Sequence, residues 1–497
     1  MGLINNMADI VRTKLQEFLH VTPAPDMTIS LNEVHTRAVT NIKNRIWYDG
    51  IPEQLSQLYR QLNSDKTMFW AAKSTKGQEI RKIHLGLPAL IVDALVNIVS
   101  TDYNGIDVAC KNTTTYQDKW EQIERENKLP ELLVEMLTDI SIVGDGAFKI
   151  SYDTEISKLP LIEWYPSEQV EFVYKRGKIR EIIFHTYVTE NRKQYRFSEH
   201  YGYGYIKYKL YNATGKELPL DSIGHTSWTE GEGIQFDNSY MWAVPVKLGK
   251  SSHKGRGKGL LEGKEGDFDS VDEAWSQWMD ALRAGRTKQY IPECFIPANP
   301  DTGKKISPNA FDNRYIAIGN DTKENGNGNR IYTESAPIQH ESYLSTYITA
   351  LDLCLQGLIS PSTLGIDVKK LDNAEAQREK EKTTLYTRQK FIELLNNVLP
   401  ELVFAALKAD AQLWEKRLIT DELEVTVNFG EYANPSFESQ VETVGKARQY
   451  GAMSVEQSVE ELYGDSKDDA WKAEEVKRIK AEHGIAVLAE TSEGDDL

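Results

Sequence analysis

The sequence predicts an α+β protein in which an antiparallel sheet and a small β-rich insertion lie between helical segments. The first third of the chain carries apolar residues three and four apart, the spacing of a helix with one buried face. Between residues 182 and 211 the period changes to strict alternation, which is typical of strands. From residue 374 to about 416 a helical composition continues with Pro400 as its only interior breaker.

The composition indicates a folded chain with more than one folding unit. Of the 497 residues, 40% are hydrophobic and 27% are charged, the balance of an ordinary globular protein. The formal net charge is −17, opposite to the basic surface of a protein that grips phosphate backbones. We therefore expect that a nucleic acid partner would pass along this chain without being held tightly.

Cysteine usage and hydropathy predict a protein of a reducing compartment. Cys110, Cys294 and Cys354 are far apart and odd in number, so a disulfide framework or metal cluster is not expected. Charged residues interrupt the apolar positions of the first 19 residues, and no apolar run reaches the length of a membrane span. We expect no cofactor, no membrane association and assembly in the cytoplasm.

The first elements can be placed in chain order. The segment 86–99 predicts a buried helix that starts after Pro88, and helical spacing continues from Trp120 to Ile142. Strands follow around residues 195–201 and 206–210, separated by a turn at Gly202 and Gly204. Together these strands predict an antiparallel β-meander.

Two further helices bracket a short β-rich interval. A Gly- and Lys-rich loop at 251–266 precedes a capping box at Ser270–Glu273, which predicts a helix to about Ala284. Short strands are expected at 290–300 and 315–318. A second helix begins near Glu341, with one apolar stripe formed by Leu344, Tyr347, Ile348, Leu351, Leu355 and Leu358.

The last part of the chain is mostly helical. After a loop at 359–373, the helix at 374–416 would reach roughly 60 Å and kink near Pro400. A strand is expected at 424–429, followed by charged helical sequence at 454–481 and an acidic tail.

Signatures of catalysis are weak. The sequence GRGKG at 255–259 lacks the spacing of a nucleotide-binding loop and favours a flexible loop. Weak DNA contact through Lys254, Arg256 and Lys258 stays open. The acids Asp267, Asp269, Asp272 and Glu273 are more typical of a helix start than of a divalent cation site. Aromatic residues of the meander allow stacking on single-stranded bases, although ordinary sheet packing is favoured.

Five segments, at 83–99, 127–150, 270–286, 358–403 and 453–484, carry a family resemblance. With the order of elements, they resemble the portal proteins of long-tailed phages that infect Gram-positive bacteria. The resemblance spans nearly the whole chain. One departure is Ala374-Glu375-Ala376, where the family often has Ala-Thr-Glu.

The resemblance implies a portal fold with a helical wing and crown, an antiparallel β-meander, two stem helices, a small β-rich clip and one long kinked helix. The implied divisions are wing 1–266, stem helix 267–286, clip 287–339, stem helix 340–358, tunnel loop 359–373, long helix and wing strand 374–438, and crown with acidic tail 439–497.

The resemblance also implies roles for individual residues. Lys369 and Lys370 would either contact passing DNA weakly or be two solvated lysines, and both interpretations stay open. The tunnel loop would present to the DNA channel Ser360, Ser362, Thr363, Lys369 and Lys370. The stem helices would be represented by Asp272, Trp275, Trp278, Tyr347, Leu351 and Leu355, and the kink by Pro400.

The function implied by the resemblance is a ring of twelve identical subunits at one capsid vertex of the virion. Double-stranded DNA would pass through it transiently during packaging and ejection, and the chain would not be an enzyme. Implied protein partners are the terminase large subunit, a head–tail adaptor, and the major capsid and scaffolding proteins. The alternatives are a capsid or baseplate structural protein without a DNA channel and a DNA-processing enzyme.

Overall fold

The computed structural model describes residues 33–62, 68–73, 80–110, 115–226, 233–285, 288–306, 315–319, 330–334, 337–366, 374–412, 423–430, 437–463 and 469–482. The chain divides into two compact units, Met1–Asn428 and Phe429–Leu497. Helices and mainly antiparallel sheets make up the described part, which confirms the expected α+β class.

Within the described residues of the first unit, five helices and one strand come first in the chain. They are α1 Glu33–Asp49, α2 Pro52–Leu62, α3 Leu87–Asp102, β1 Tyr103–Cys110, α4 Thr115–Glu126 and α5 Leu129–Val143. The helix expected after Pro88 is α3, with that proline in its first turn. The helical interpretation of the first third is incomplete, because β1 intervenes and Lys128, at φ 47°, separates α4 from α5.

The expected meander is confirmed as the core of a six-stranded sheet. Its strands are β4 Val170–Lys175, β5 Lys178–Glu190, β6 Lys193–Gly202, β7 Tyr205–Asn212, β8 Glu217–Leu218 and β9 Ile234–Gln235. Neighbouring strands pair antiparallel, with Phe197 opposite Leu210 between β6 and β7. Because successive side chains of a strand point to opposite faces, every second side chain lies on the core face of the sheet.

The sheet face packs as the aromatic pattern predicts. Phe197 and Tyr201 are buried, and Tyr208 stacks on Phe197 with ring centroids 5.8 Å apart. On the opposite face the guanidinium of Arg196 lies 4.8 Å from the centroid of the Tyr211 ring. Most of the aromatic surface that base stacking would need is thus used by the sheet itself.

A smaller sheet joins the meander to the helices. It contains β2 Asp145–Ser151, β3 Leu161–Pro166 and β10 Ala243–Lys247 in the order β10-β2-β3. β2 is almost wholly buried and follows α5 directly through Gly144, which has φ 89°. A glycine is needed there because that conformation is strained for other residues.

The expected helix, β-rich module and second helix are present. They are α6 Glu265–Ala284, the strands β11 Lys288–Pro292, β12 Tyr315–Ile318 and β13 Tyr332–Glu334, and α7 His340–Leu355. The capping box was the wrong start signal: α6 begins five residues before Ser270, whose hydroxyl donates to the Gly266 carbonyl inside the helix. The strand expected at 290–300 ends at Pro292.

The long helix α8 spans Ala374–Asp410 and contains Pro400 in its interior. Its 37 residues correspond to about 55 Å of helix. From Phe391 onward most of its apolar side chains are buried in the first unit, so α8 is partly a core helix. β14, Leu423–Phe429, pairs with β1.

The second unit contains three described helices, α9 Phe437–Gln449, α10 Val455–Tyr463 and α11 Asp469–Glu482. The helical stretch expected at 454–481 is therefore two helices, which contact each other through Tyr463 and Trp471 with ring centroids 5.1 Å apart. Across the part of the chain that the structure describes, no helix combines the length and apolarity of a bilayer-spanning segment.

Candidate functional site

The central feature is the helix pair formed by α6 and α7. Trp275 lies between Trp278 of its own helix and Tyr347 of α7, with ring centroids 5.7 and 5.5 Å away. Trp278 also stacks on Tyr343 at 6.5 Å and 10°. Tyr343 was not singled out from the sequence, although its position four residues before Tyr347 places both on one helix face.

The base of this pair is more deeply buried than the aromatic part. Leu351, Cys354 and Leu355 are buried, and burial raises the pKa of the Cys354 thiol to about 12. Leu344, expected in the same apolar stripe, is instead 44% exposed. The stripe is therefore buried only toward the C-terminal end of α7.

Two acids of α6 accept hydrogen bonds from distant segments of the same chain. Asp269 accepts hydrogen bonds from the backbone N–H groups of Phe69 and Trp70, at 2.8 and 3.1 Å. Burial nevertheless raises the pKa of Asp269 above its usual value. This acid was expected to complement the positive end of the helix. That expectation was wrong for Asp269, because its carboxylate binds the backbone of a distant segment.

Asp272 binds a second distant segment, around His84 and Leu85, in the same way. Its carboxylate accepts from the Trp70 indole N–H at 3.1 Å and from the Leu85 N–H at 3.1 Å, and it lies 2.7 Å from Nδ1 of His84. The residue is 1% exposed. Asp272 is thus a packing residue of α6 and does not face solvent.

The surface of the helix pair is poor in positive charge. Arg283 is the only lysine or arginine in α6 and α7, whereas both helices carry acids, including Glu273, Asp280 and Asp352. The exposed positions of α7 carry small hydroxyl side chains, among them Ser342, Ser345, Thr346 and Thr349. Such a surface offers few groups to hold a polyanion.

The turn after α7 is fastened to α8 by hydroxyl groups. Thr384 Oγ1 accepts from the Ser360 N–H at 2.9 Å and lies 3.0 Å from the Thr363 hydroxyl. Thr387 donates to the Leu358 carbonyl at 2.7 Å, and the Ser360 and Ser362 hydroxyls are 2.7 Å apart. The first half of the loop expected at 359–373 therefore lies on α8.

Sequence reasoning named three of these hydroxyl residues but missed Thr384 and Thr387. The available signal was two β-branched, poorly helix-forming residues three apart inside a long helix. Lys369 and Lys370, the basic pair expected in the same loop, lie outside the described residues.

The GRGKG segment does not form a phosphate cradle. The N–H groups that would point at a phosphate are already used: Gly257 donates to Asp145 at 2.7 Å, Lys258 to Leu248 at 2.6 Å and Leu260 to Ser141 at 2.7 Å. A Cβ at Gly257 would lie 2.0 Å from the Gly144 carbonyl oxygen. The expected flexible loop is thus a closely packed segment in which glycine is required for backbone contact.

A buried charge network holds this segment in place. Asp145 is fully buried, 3.6 Å from the Arg37 guanidinium and 3.3 Å from that of Arg256. Arg256 also donates to the Ser167 and Val170 carbonyls at 2.9 and 3.0 Å. Arg256 is therefore unavailable for the DNA contact that the sequence left open.

One arrangement on the outer face of the six-stranded sheet superficially resembles a catalytic relay. His185 lies 2.9 Å from the Ser198 hydroxyl through Nδ1 and 3.6 Å from Glu171 through Nε2. Ser198 is 1% exposed and lies within the paired strands β5 and β6. A substrate carbonyl cannot reach that hydroxyl, so the contact is structural.

Among the described residues, no group of three or more His, Cys, Asp or Glu side chains is arranged to hold a metal ion. That finding includes the acids of α6 at positions 267, 269, 272 and 273. Two of them, Asp269 and Asp272, already accept hydrogen bonds from backbone and indole N–H groups.

Comparison with known proteins gives matches to solved structures only; no protein-family model and no curated protein sequence matches. "Virion of native gene transfer agent (GTA) particle" is 13% identical, with a TM-score of 0.33, covering 78% of this chain and 89% of that chain. "Neck of native GTA particle computed with C12 symmetry" is 12% identical, with a TM-score of 0.33, covering 78% of this chain and 90% of that chain.

A further match, "Neck of empty GTA particle computed with C6 symmetry", is 10% identical with a TM-score of 0.35, covering 79% of this chain and 90% of that chain. These structural neighbours are thus components of phage-like particles. At TM-scores this low, the likeness supports no conclusion about the family or the function of this chain.

Proposed function

We propose that this chain is the subunit of a phage portal, a ring at one capsid vertex through which DNA is packaged and ejected. One observation carries the proposal: α6, a three-stranded β module, α7, the connection 356–373 and the 37-residue α8 follow one another in that order. The same order, with the sequence segments that cover it, underlies the resemblance to portal proteins.

In this proposal α6 and α7 are the stem helices and the β module between them is the clip that meets the packaging motor. Identical copies arranged by rotation would close a channel without any energy source of their own. The terminase large subunit would supply the energy, and a head–tail adaptor would later occupy the same end. We infer twelve copies, a place in the virion and assembly with capsid and scaffolding proteins.

The scarcity of basic residues on α6 and α7 suits a channel for a like-charged polymer. A wall whose only lysine or arginine is Arg283 releases few counterions when DNA enters, so DNA passes without being retained. The exposed hydroxyls of α7 would keep such a wall wetted. No catalytic role is proposed for any residue.

The ring is tested by negative-stain electron microscopy and mass photometry of the purified full-length protein. We expect rings with an open centre wide enough for duplex DNA. Monomers that cleave DNA with magnesium would support the competing class of DNA-processing enzyme. Closed assemblies without a hole would favour a capsid or baseplate protein.

The loop lysines give a more specific prediction. A Lys369→Ala, Lys370→Ala double substitution is expected to lower the amount of DNA packaged per particle while leaving the rings intact, because a ring repeats each weak phosphate contact. Packaging is measured by nuclease-protected DNA. Wild-type levels of protected DNA would remove the DNA-contact role and leave two solvated lysines.

A further inference from the structure

A groove bordered by Leu358 of the turn and Thr387 of α8, which are joined by a hydrogen bond, collects positive charge. It has a volume of about 350 Å³ and lies between residues 248–264, the turn at 356–358 and residues 387–391 of α8. Its lining includes Lys250 and Lys258 from the segment 248–264 and Lys390 from α8. All three side chains are exposed.

These three lysines differ from the other charged residues of the groove. Lys264 is paired with Asp267 at 3.2 Å and donates to the Leu353 carbonyl at 2.6 Å. Glu262, the one carboxylate among the described lining residues, lies 3.4 Å from Arg37. Within the described part of the chain, Lys250, Lys258 and Lys390 have no salt bridge to an acid.

The floor of the groove contains little that would offset this charge. Gly249, Gly263 and Gly357 expose backbone there. Leu248 and Phe391, which are buried, add apolar groups beneath it. Like charges that converge on one concavity repel one another, more strongly beside apolar groups than in open water. A bound polyanion removes that repulsion, so the arrangement favours an anionic occupant in a chain whose net charge is −17.

We propose that this groove binds phosphate groups of the DNA backbone through Lys250, Lys258 and Lys390. The choice of DNA over another polyanion rests on the proposed function. Each ammonium group acts as a point charge without sequence preference, so the contact is weak, non-specific and sensitive to salt. Lys369 and Lys370 are not assigned to this site, and its test leaves both lysines unchanged.

The test compares two triple variants of the full-length protein with equal net charge. The groove variant is Lys250→Gln, Lys258→Gln, Lys390→Gln. The control is Lys178→Gln, Lys193→Gln, Lys216→Gln, three exposed lysines in the strands β5 and β6 and in the turn before β8. Binding of a fluorescent duplex of about 30 base pairs is measured by anisotropy across roughly 50 to 200 mM salt, with inorganic pyrophosphate as competitor.

The groove variant is expected to lose up to about 2.7 from the slope of log affinity against log salt, or about 0.9 per lysine. The advantage of wild type over this variant should then grow roughly 40-fold as salt falls from about 200 to 50 mM. The control variant should keep the wild-type slope, and pyrophosphate should compete only where the groove is intact.

Equal slopes for the two variants, or no DNA binding by wild type at low salt, would overturn the proposal. Loss of rings in the groove variant with an unchanged slope would also overturn it, and would assign the groove to an acidic surface of a second copy. Groove-dependent DNA binding by a protein that forms no rings would keep this site and refute the portal.

Discussion

Asp145 shows how much of the first unit depends on one buried carboxylate. Replacing it by alanine removes the counter-charge of both Arg37 and Arg256, which would then be left in a region where water is excluded. We expect Asp145→Ala to lower the free energy of unfolding by about 3 to 5 kcal/mol, the cost of breaking a buried ion pair from one side.

Urea unfolding followed by near-ultraviolet circular dichroism measures this loss. Glu135→Ala, at an exposed position of the same α5–β2 region, serves as the control and should change the free energy by less than about 0.5 kcal/mol. A similar, small change in both variants would show that Asp145 does not hold the network together.

Gly257 lies where the surrounding backbone leaves no space for a side chain. In Gly257→Ala the new methyl group would lie 2.0 Å from the Gly144 carbonyl oxygen, and backbone on both sides prevents relaxation. We expect a loss of at least about 3 kcal/mol, at or above the usual cost of overpacking. The measurement is the urea midpoint of unfolding.

Gly266→Ala is the matched control for that substitution. Apart from the neighbouring backbone of its own helix, no atom lies within 4 Å of the position of its added Cβ, and the residue is in the first turn of α6. Alanine there should be neutral or slightly stabilising, because it restricts the unfolded chain. If Gly257→Ala were equally neutral, the close backbone contact would be wrong.

At the scale of elements, α8 fixes the turn that follows α7. In Thr384→Val the side chain keeps its shape but loses the acceptor for the buried Ser360 N–H. We expect a loss of about 1 to 3 kcal/mol, the penalty for an unsatisfied buried donor. Hydrogen exchange of the peptide covering residues 358–366 should become faster.

Thr346→Val is the control, since its hydroxyl donates to the Ser342 carbonyl on the exposed face of α7. That substitution should leave exchange in the turn unchanged. If the Thr384 variant exchanged at the wild-type rate, the hydroxyl cluster would not be what fastens the turn.

At the scale of the whole molecule, net charge sets a condition on assembly. Identical subunits of charge −17 repel one another, and salt shortens the reach of that repulsion from about 30 Å at 0.01 M to about 8 Å at 0.15 M. The fraction of protein in rings, measured by mass photometry at fixed concentration, should therefore rise with sodium chloride over this range.

An equivalent osmolality of sucrose is the control, because it does not screen charge and should leave the ring fraction near its low-salt value. A ring fraction that fell as salt increased would mean that attraction between opposite charges dominates the subunit contacts. The proposed balance between burial and repulsion would then be wrong.

The sequence alone determined the α+β class, the meander and the order of α6, β module, α7 and α8, because periodicity and turn residues are local properties. It also placed Trp275, Trp278 and Tyr347 on helices that do meet. The sequence alone wrongly placed the start of α6 at Ser270. A Ser-x-x-Glu pattern inside a helix cannot be told from one that caps the start of a helix.

Only the tertiary structure decided what the charged residues do. The partners of Asp272 are 187 to 202 positions away in the chain, and Gly257 meets Asp145 at a separation of 112. No local pattern reports such pairings, because burial and hydrogen-bond partners depend on which distant segments the fold brings together. For the same reason the convergence of Lys250, Lys258 and Lys390 is visible only in the folded chain.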